Sequence, residues 1–178
     1  MKSEKQQQEI NEDDLGPILI LSSIPIRELD SNKYPIGWGS GCIVDYKGER
    51  FILTVSHVTE NQGNWSIEVK ANYGKGVELH QIGSMTYIKK GNIFTGHVED
   101  VDFAFAQIPK DIQPFYQEFD DHGKNIVEIP RTLIDLNFDS KIVVNNKFGF
   151  AGTTRFKSFE NDIYSEQRLV MNMSFVEE

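Results

Sequence analysis

Apolar positions in this chain fall in short, β-branched runs punctuated by Gly, Pro, Asn and Asp, and before Pro109 no stretch carries a helical period. Ile18–Leu21 is a four-residue apolar run, a short buried strand that Ser22, Ser23 and Pro25 bring to a stop. Gly37 to Gly41 leads into Cys42–Val44, Asp45–Gly48 turns the chain, and Arg50 to Val55 returns, which is a hairpin signature. The glycines in its first strand predict a bulge or close backbone approach. Trp65, Ile67, Val69 and Ala71 alternate with Ser66, Glu68 and Lys70, the pattern of a strand with one face buried. Val77–Ile82 and Met85–Ile88 are two further strand candidates, parted near Gly83. Phe103–Ile108 is apolar on both faces and reads as a central strand.

About six strands without a helix suit a small closed barrel. The pattern then changes. Pro114 followed by Phe115–Phe119 predicts one helical turn, Asp120–Gly123 a loop, and Ile126–Ile129 a short strand. Strand pattern restarts at Lys141–Val144 and Phe148–Ala151, with a turn at Gly152, and Leu169, Met171, Met173 and Phe175 alternate near the end. The expected organisation is a tail over 1–13 and a first β-barrel over 14–112. A connection over 113–139 and an incomplete second barrel over 140–178 complete it.

Composition narrows the function classes. The 178 residues are 39% hydrophobic and 25% charged, a globular profile, with a formal net charge of −9 that argues against a nucleic-acid partner. No apolar run approaches a membrane span, and the polar N-terminus lacks a secretory core. With one cysteine, Cys42, an internal disulfide is excluded, and the cytoplasm is the expected location.

The candidate chemistry lies at two strand ends. Phe51 to Val58 delivers His57 at the exit of an apolar run, and Val101 to Ala106 opens with Asp102. If both are strands of one barrel, a base and the carboxylate that orients it can meet. Asp100 competes for the second role from the same strand face, and Asp102 is expected to be buried and within hydrogen-bond reach of His57. Other candidates are weaker. Cys42 reads as a buried, inert thiol, and becomes a nucleophile only if His57 lies beside it. Asp120, Asp121 and His122 are adjacent and read as a solvated loop, not a metal site. His80 and His97 lack patterned partners, and Gly37-x-Gly39-x-Gly41 misses the dinucleotide spacing. No cofactor or metal is expected.

Taken in order, Gly39-Ser-Gly-Cys-Ile-Val44, Phe51-Ile-Leu-Thr-Val-Ser-His57-Val58 and Asp102-Phe-Ala-Phe-Ala106 resemble three motifs of the trypsin-like serine proteases, in the style of compact bacterial intracellular members. They match that family's Gly-Ser-Gly-Phe-Ile-Val strand, Leu-Thr-Ala-Ala-His motif and Asp-Ile-Ala-Leu-Leu motif. The resemblance covers roughly residues 17–110 well and 140–176 loosely. It implies an all-β chymotrypsin-like fold, a peptide or protein substrate, His57 as general base and Asp102 as its orienter. Val55 and Ser56 depart from the Ala-Ala of that motif. The larger departure is that no Gly-x-Ser-Gly-Gly follows Asp102, and Ser158, Ser165 and Ser174 lack flanking glycines.

The implied protein is therefore a serine endopeptidase truncated before its nucleophile and inert as this chain alone. Coding sequence past the stop is expected to supply a further strand or two and the missing motif. The open edge of the second barrel is a place for a partner chain. The rival reading is a non-catalytic all-β pseudoprotease that binds a partner through a sheet edge. A split enzyme whose nucleophile comes from another chain is a third.

Overall fold

A computed structural model describes residues 12–60, 63–72, 76–92, 94–120, 122–136, 152–159 and 162–168. Its elements are two helices and twelve strands. Helix α1 (Glu12–Ser22) leads into β1 (Ile24–Leu29), β2 (Pro35–Tyr46) and β3 (Glu49–Thr54), after which α2 (Ser56–Thr59) makes a single turn. Then follow β4 (Asn64–Asn72), β5 (Gly76–Gln81), β6 (Thr86–Gly91), β7 (Val98–Ile108), β8 (Phe115–Phe119), β9 (Ile126–Pro130) and β10 (Ile134–Asp135). The last two are β11 (Gly152–Phe159) and β12 (Asp162–Arg168). The all-β expectation holds, with antiparallel pairing throughout except for β10, which runs parallel to β2.

One sheet dominates. Its strand order is β5-β4-β1-β2-β3-β7-β6, with β10 attached to β2. The β2–β3 hairpin turns through Lys47 and Gly48, both with positive φ (49° and 79°), which suits the right-handed twist of the flanking strands. Ile24, Ile26, Ile43, Ile52 and Ile67 are fully buried and form the core with Trp65, Ile82, Ala106 and Ile108. On the other face of β7, Phe105 packs edge-on to Phe51, with ring centroids 6.1 Å apart.

Several local expectations are overturned. Ile18–Leu21 is helical, not a strand. A four-residue apolar run suits either state, and the end of α1 is fixed by bonds from a distant segment. Thr132 N–H donates to Leu21 O at 2.9 Å, and Arg131 Nη1 donates to Ile20 O at 3.0 Å and to Ser23 O. These bonds satisfy carbonyls that a helix C-terminus leaves open. The first strand comes later, with Pro25 inside it, just before pairing with β4 begins at Ile26. Phe115–Phe119 is a strand, not a helical turn, because an isolated turn is costly to nucleate and Ile126–Pro130 pairs with it along its length. Gly152 opens β11 and is no turn. The strands expected at 141–144, 148–151 and 169–175 lie outside the described residues.

β4 is not the half-exposed strand its alternation suggests. Ser66 is 1% exposed and Glu68 9%. Arg27 of β1 donates to Glu68 Oε2 from Nε at 3.0 Å and from Nη2 at 2.5 Å, and β8 packs over the same strand. The polar face of β4 is thus covered by an ion pair and a second, small sheet.

Candidate functional site

β3 pairs with β7 as far as Thr54 opposite Ala104. There β3 leaves the sheet through the extended Val55, and α2 folds back over β7. Asp102, two residues before Ala104 on β7, faces that turn. Its Oδ1 accepts from His57 N–H at 3.1 Å and from Ser56 Oγ at 2.9 Å, and its Oδ2 lies 2.7 Å from His57 Nδ1. The two residues singled out at separate strand ends are brought together.

These donors hold the Asp102 carboxyl below the usual carboxylate range, the backbone N–H of His57 contributing most and its ring nitrogen next. An ionised carboxylate only accepts, so Nδ1 carries the ring hydrogen and Nε2 is left as the basic nitrogen. The arrangement can therefore take up a proton at Nε2 and hold the resulting imidazolium against a fixed anion.

The turn that carries His57 is fixed on three sides. Asp102 accepts the His57 N–H, Tyr87 Oη on β6 donates to Thr59 O at 2.5 Å, and Val58 packs over Gly39 of β2. A Cβ at Gly39 would collide with the Val58 side chain, so Gly39 is what lets α2 sit close to the sheet. Gly39→Val is expected to cost about 1–3 kcal/mol in urea unfolding, as overpacking does. It should also broaden or shift the His57 ring resonances; unchanged resonances would show that this contact does not position α2.

One expectation fails. Asp102 is not buried: its side chain is 54% exposed and that of His57 66%. The reason is local, since pairing with β3 has already stopped at Ala104 and, among the described residues, the hydrogen bonds to the Asp102 carboxylate come from Ser56 and His57 of α2. Asp100, the competing carboxylate, is turned to Lys89 Nζ at 2.9 Å and belongs to an exposed ion pair.

The remaining candidates go to ordinary tasks. Cys42 is half-buried in β2, and burial pushes its thiol pKa up, away from the thiolate. Asp120 closes the β8–β9 loop by accepting from Lys124 N–H at 2.8 Å and Asn125 Nδ2 at 2.7 Å. His80 sits in β5, and His97 lies 3.5 Å from Glu99. Ser158 and Ser165 lie in β11 and β12, opposite Ile163 and Phe156. Among the described residues, no group of three His, Cys, Asp or Glu is arranged to hold a metal, and no helix is long and apolar enough to cross a membrane.

Sequence reasoning did not identify Ser56 and Tyr87 as parts of the site. No periodicity could have revealed them, because each acts through a strand distant in sequence. A cleft of about 500 Å³ at the break between β5 and β6 is lined by Trp65, Ser84, Met85 and Tyr87, and neither His57 nor Asp102 borders it. Compared with family models, with curated proteins and with solved structures, the chain has no match in any of the three.

Proposed function

We propose that this chain carries the base and the orienter of a trypsin-like serine endopeptidase, and that alone it cleaves no peptide. The observation that carries the reading is the 2.7 Å contact of His57 Nδ1 with Asp102 Oδ2, made beside an exposed imidazole. A base that takes the proton of an attacking hydroxyl needs Nε2 bare and accessible, with Nδ1 committed to an anion. No residue of the 178 is assigned as the nucleophile, since none stands in a Gly-x-Ser-Gly-Gly setting.

The strand order supports a chymotrypsin-like first barrel. β5 and β6, the two ends of the sheet path, are consecutive in the chain and separated by Ile82–Met85. Counted as one interrupted strand, they would make six strands with β1, β2, β3, β4 and β7. The β11–β12 hairpin, whose backbone passes beside β2 and β1, would belong to the second barrel. The substrate class is peptide or protein and the location cytoplasmic, with no nucleic acid or cofactor involved.

An activated ester tests the reading without a protein nucleophile. The purified chain should turn over p-nitrophenyl acetate with a rate that His57→Ala removes and Asp102→Asn lowers. It should leave peptides uncut and take up no fluorophosphonate. Ester turnover indifferent to His57 would count against the base, and stoichiometric labelling of a serine would reveal a nucleophile within the chain.

A second reading, a non-catalytic interaction module, is favoured by the β6–β7 ribbon. Beyond Ala104 the ribbon has left β3, and Ile88, Val98 and Val101 are exposed on it, with Phe94 at its tip 99% exposed. Apolar side chains on a projecting two-stranded ribbon suit a partner better than water.

A further inference from the structure

We infer that Ser56 is a positioning residue of the His57–Asp102 pair: its hydroxyl fixes the rotation of the Asp102 carboxylate so that Oδ2 stays aimed at His57 Nδ1. The inference rests on the reading of His57 as base and Asp102 as orienter.

The geometry is specific. The terminal torsion of an aspartate is broad, so a carboxylate half open to solvent turns easily and trades its acceptors among waters. Here Oδ1 is held by two donors from adjacent residues, Ser56 Oγ at 2.9 Å and His57 N–H at 3.1 Å. Two donors converging on one oxygen fix the plane of the group, and that plane sends Oδ2 to the ring. Ser56 can do this because it is itself rigid, being 7% exposed at the first position of α2. The exposure of Asp102 makes the contribution necessary. Burial would otherwise hold the carboxylate, and burial is missing here. A hydroxyl next to the histidine thus replaces surrounding protein as the restraint. Without it, one oxygen keeps a single backbone donor, about which the carboxylate can rotate.

Three substitutions test the role on the full chain. Ser56→Ala removes the donor, Ser56→Cys keeps the shape with only a weak donor, and Ser56→Thr keeps the hydroxyl. The readouts are the NMR titration of the Asp102 carboxyl carbon and the His57-dependent turnover of p-nitrophenyl acetate. In the alanine and cysteine variants the Asp102 midpoint should move up, because the charged form has lost a donor, and ester turnover should fall with it. The threonine variant should restore both. A merely structural serine would leave the midpoint where it is. If the alanine variant does not fold, the cysteine variant decides by the same two readouts. Unchanged midpoint and turnover in the alanine or cysteine variant, with turnover still lost in His57→Ala and lowered in Asp102→Asn, overturns the role of Ser56 and leaves the pair intact. Turnover indifferent to His57 and Asp102 overturns the pair and the role of Ser56 with it.

Discussion

Glu68→Ala should lower the unfolding free energy by about 3–5 kcal/mol, the largest stability effect expected of a single polar substitution in this fold. Glu68 and Arg27 have side chains only 11% and 10% exposed, and Arg27 reaches Glu68 through two nitrogens. A third charge depends on the same carboxylate. Burial pushes the Arg131 guanidinium down to about 10, and the Glu68 charge opposes that fall. Removing Glu68 therefore strips the buried Arg27 guanidinium of the carboxylate that two of its nitrogens reach, and takes from Arg131 a charge that favours its ionised form. Arg131 also ties the end of α1 to the segment after β9, so the loss should spread to both. Replacing Arg27 and Glu68 together by Met and Leu should cost far less, since an apolar pair needs no desolvated charge. Urea unfolding of the two variants against wild type is the measurement. A Glu68→Ala loss below about 1 kcal/mol, the range of exposed pairs, would show that water reaches the cluster.

Asp102→Asn should reduce His57-dependent ester turnover by roughly 100-fold at neutral pH, the scale at which a positioned base contributes. Asparagine matches aspartate in shape, and its oxygen can still accept from Ser56 and His57 N–H. Its amide nitrogen then faces Nδ1 as a donor, which favours hydrogen on Nε2 and removes the base from the side where it is needed. The pH dependence follows from the direction of the Asp102 shift. A carboxyl whose folded pKa is depressed contributes its pairing fully above its unfolded value, roughly 3.9, and loses it as pH falls through the lower folded value. Asp102 is thus ionised throughout the range in which an ordinary imidazole titrates. Turnover in wild type should accordingly show no inflection from Asp102 above about pH 4. An Asp102→Asn rate equal to wild type would mean that Asp102 does not set the tautomer.

How far the sequence discloses this structure depends on how far apart the deciding contacts lie. The β2–β3 hairpin follows from the turn at Asp45–Gly48, β4 from alternation and β7 from a continuous apolar run, because neighbouring residues decide them. His57 and Asp102 are legible for a related reason: each sits at the end of an apolar run, and pairing of those runs brings the ends together. Ile18–Leu21 is misread because the bonds that close α1 come from Arg131, 111 residues away from Ile20. The buried polar face of β4 is hidden for the same reason, its partner Arg27 lying 41 residues before Glu68. Asp102's exposure could not be read from its neighbours either, since it depends on where pairing with β3 stops.

The central claim is that Asp102 holds His57 with its hydrogen on Nδ1 and its lone pair on Nε2. Long-range ¹H–¹⁵N correlation of the ring in its neutral form tests this directly. Wild type should show an Nδ1–H tautomer, and Asp102→Asn should shift the population to Nε2–H. A wild-type ring that already carries its hydrogen on Nε2, or spectra identical in the two proteins, would contradict the account.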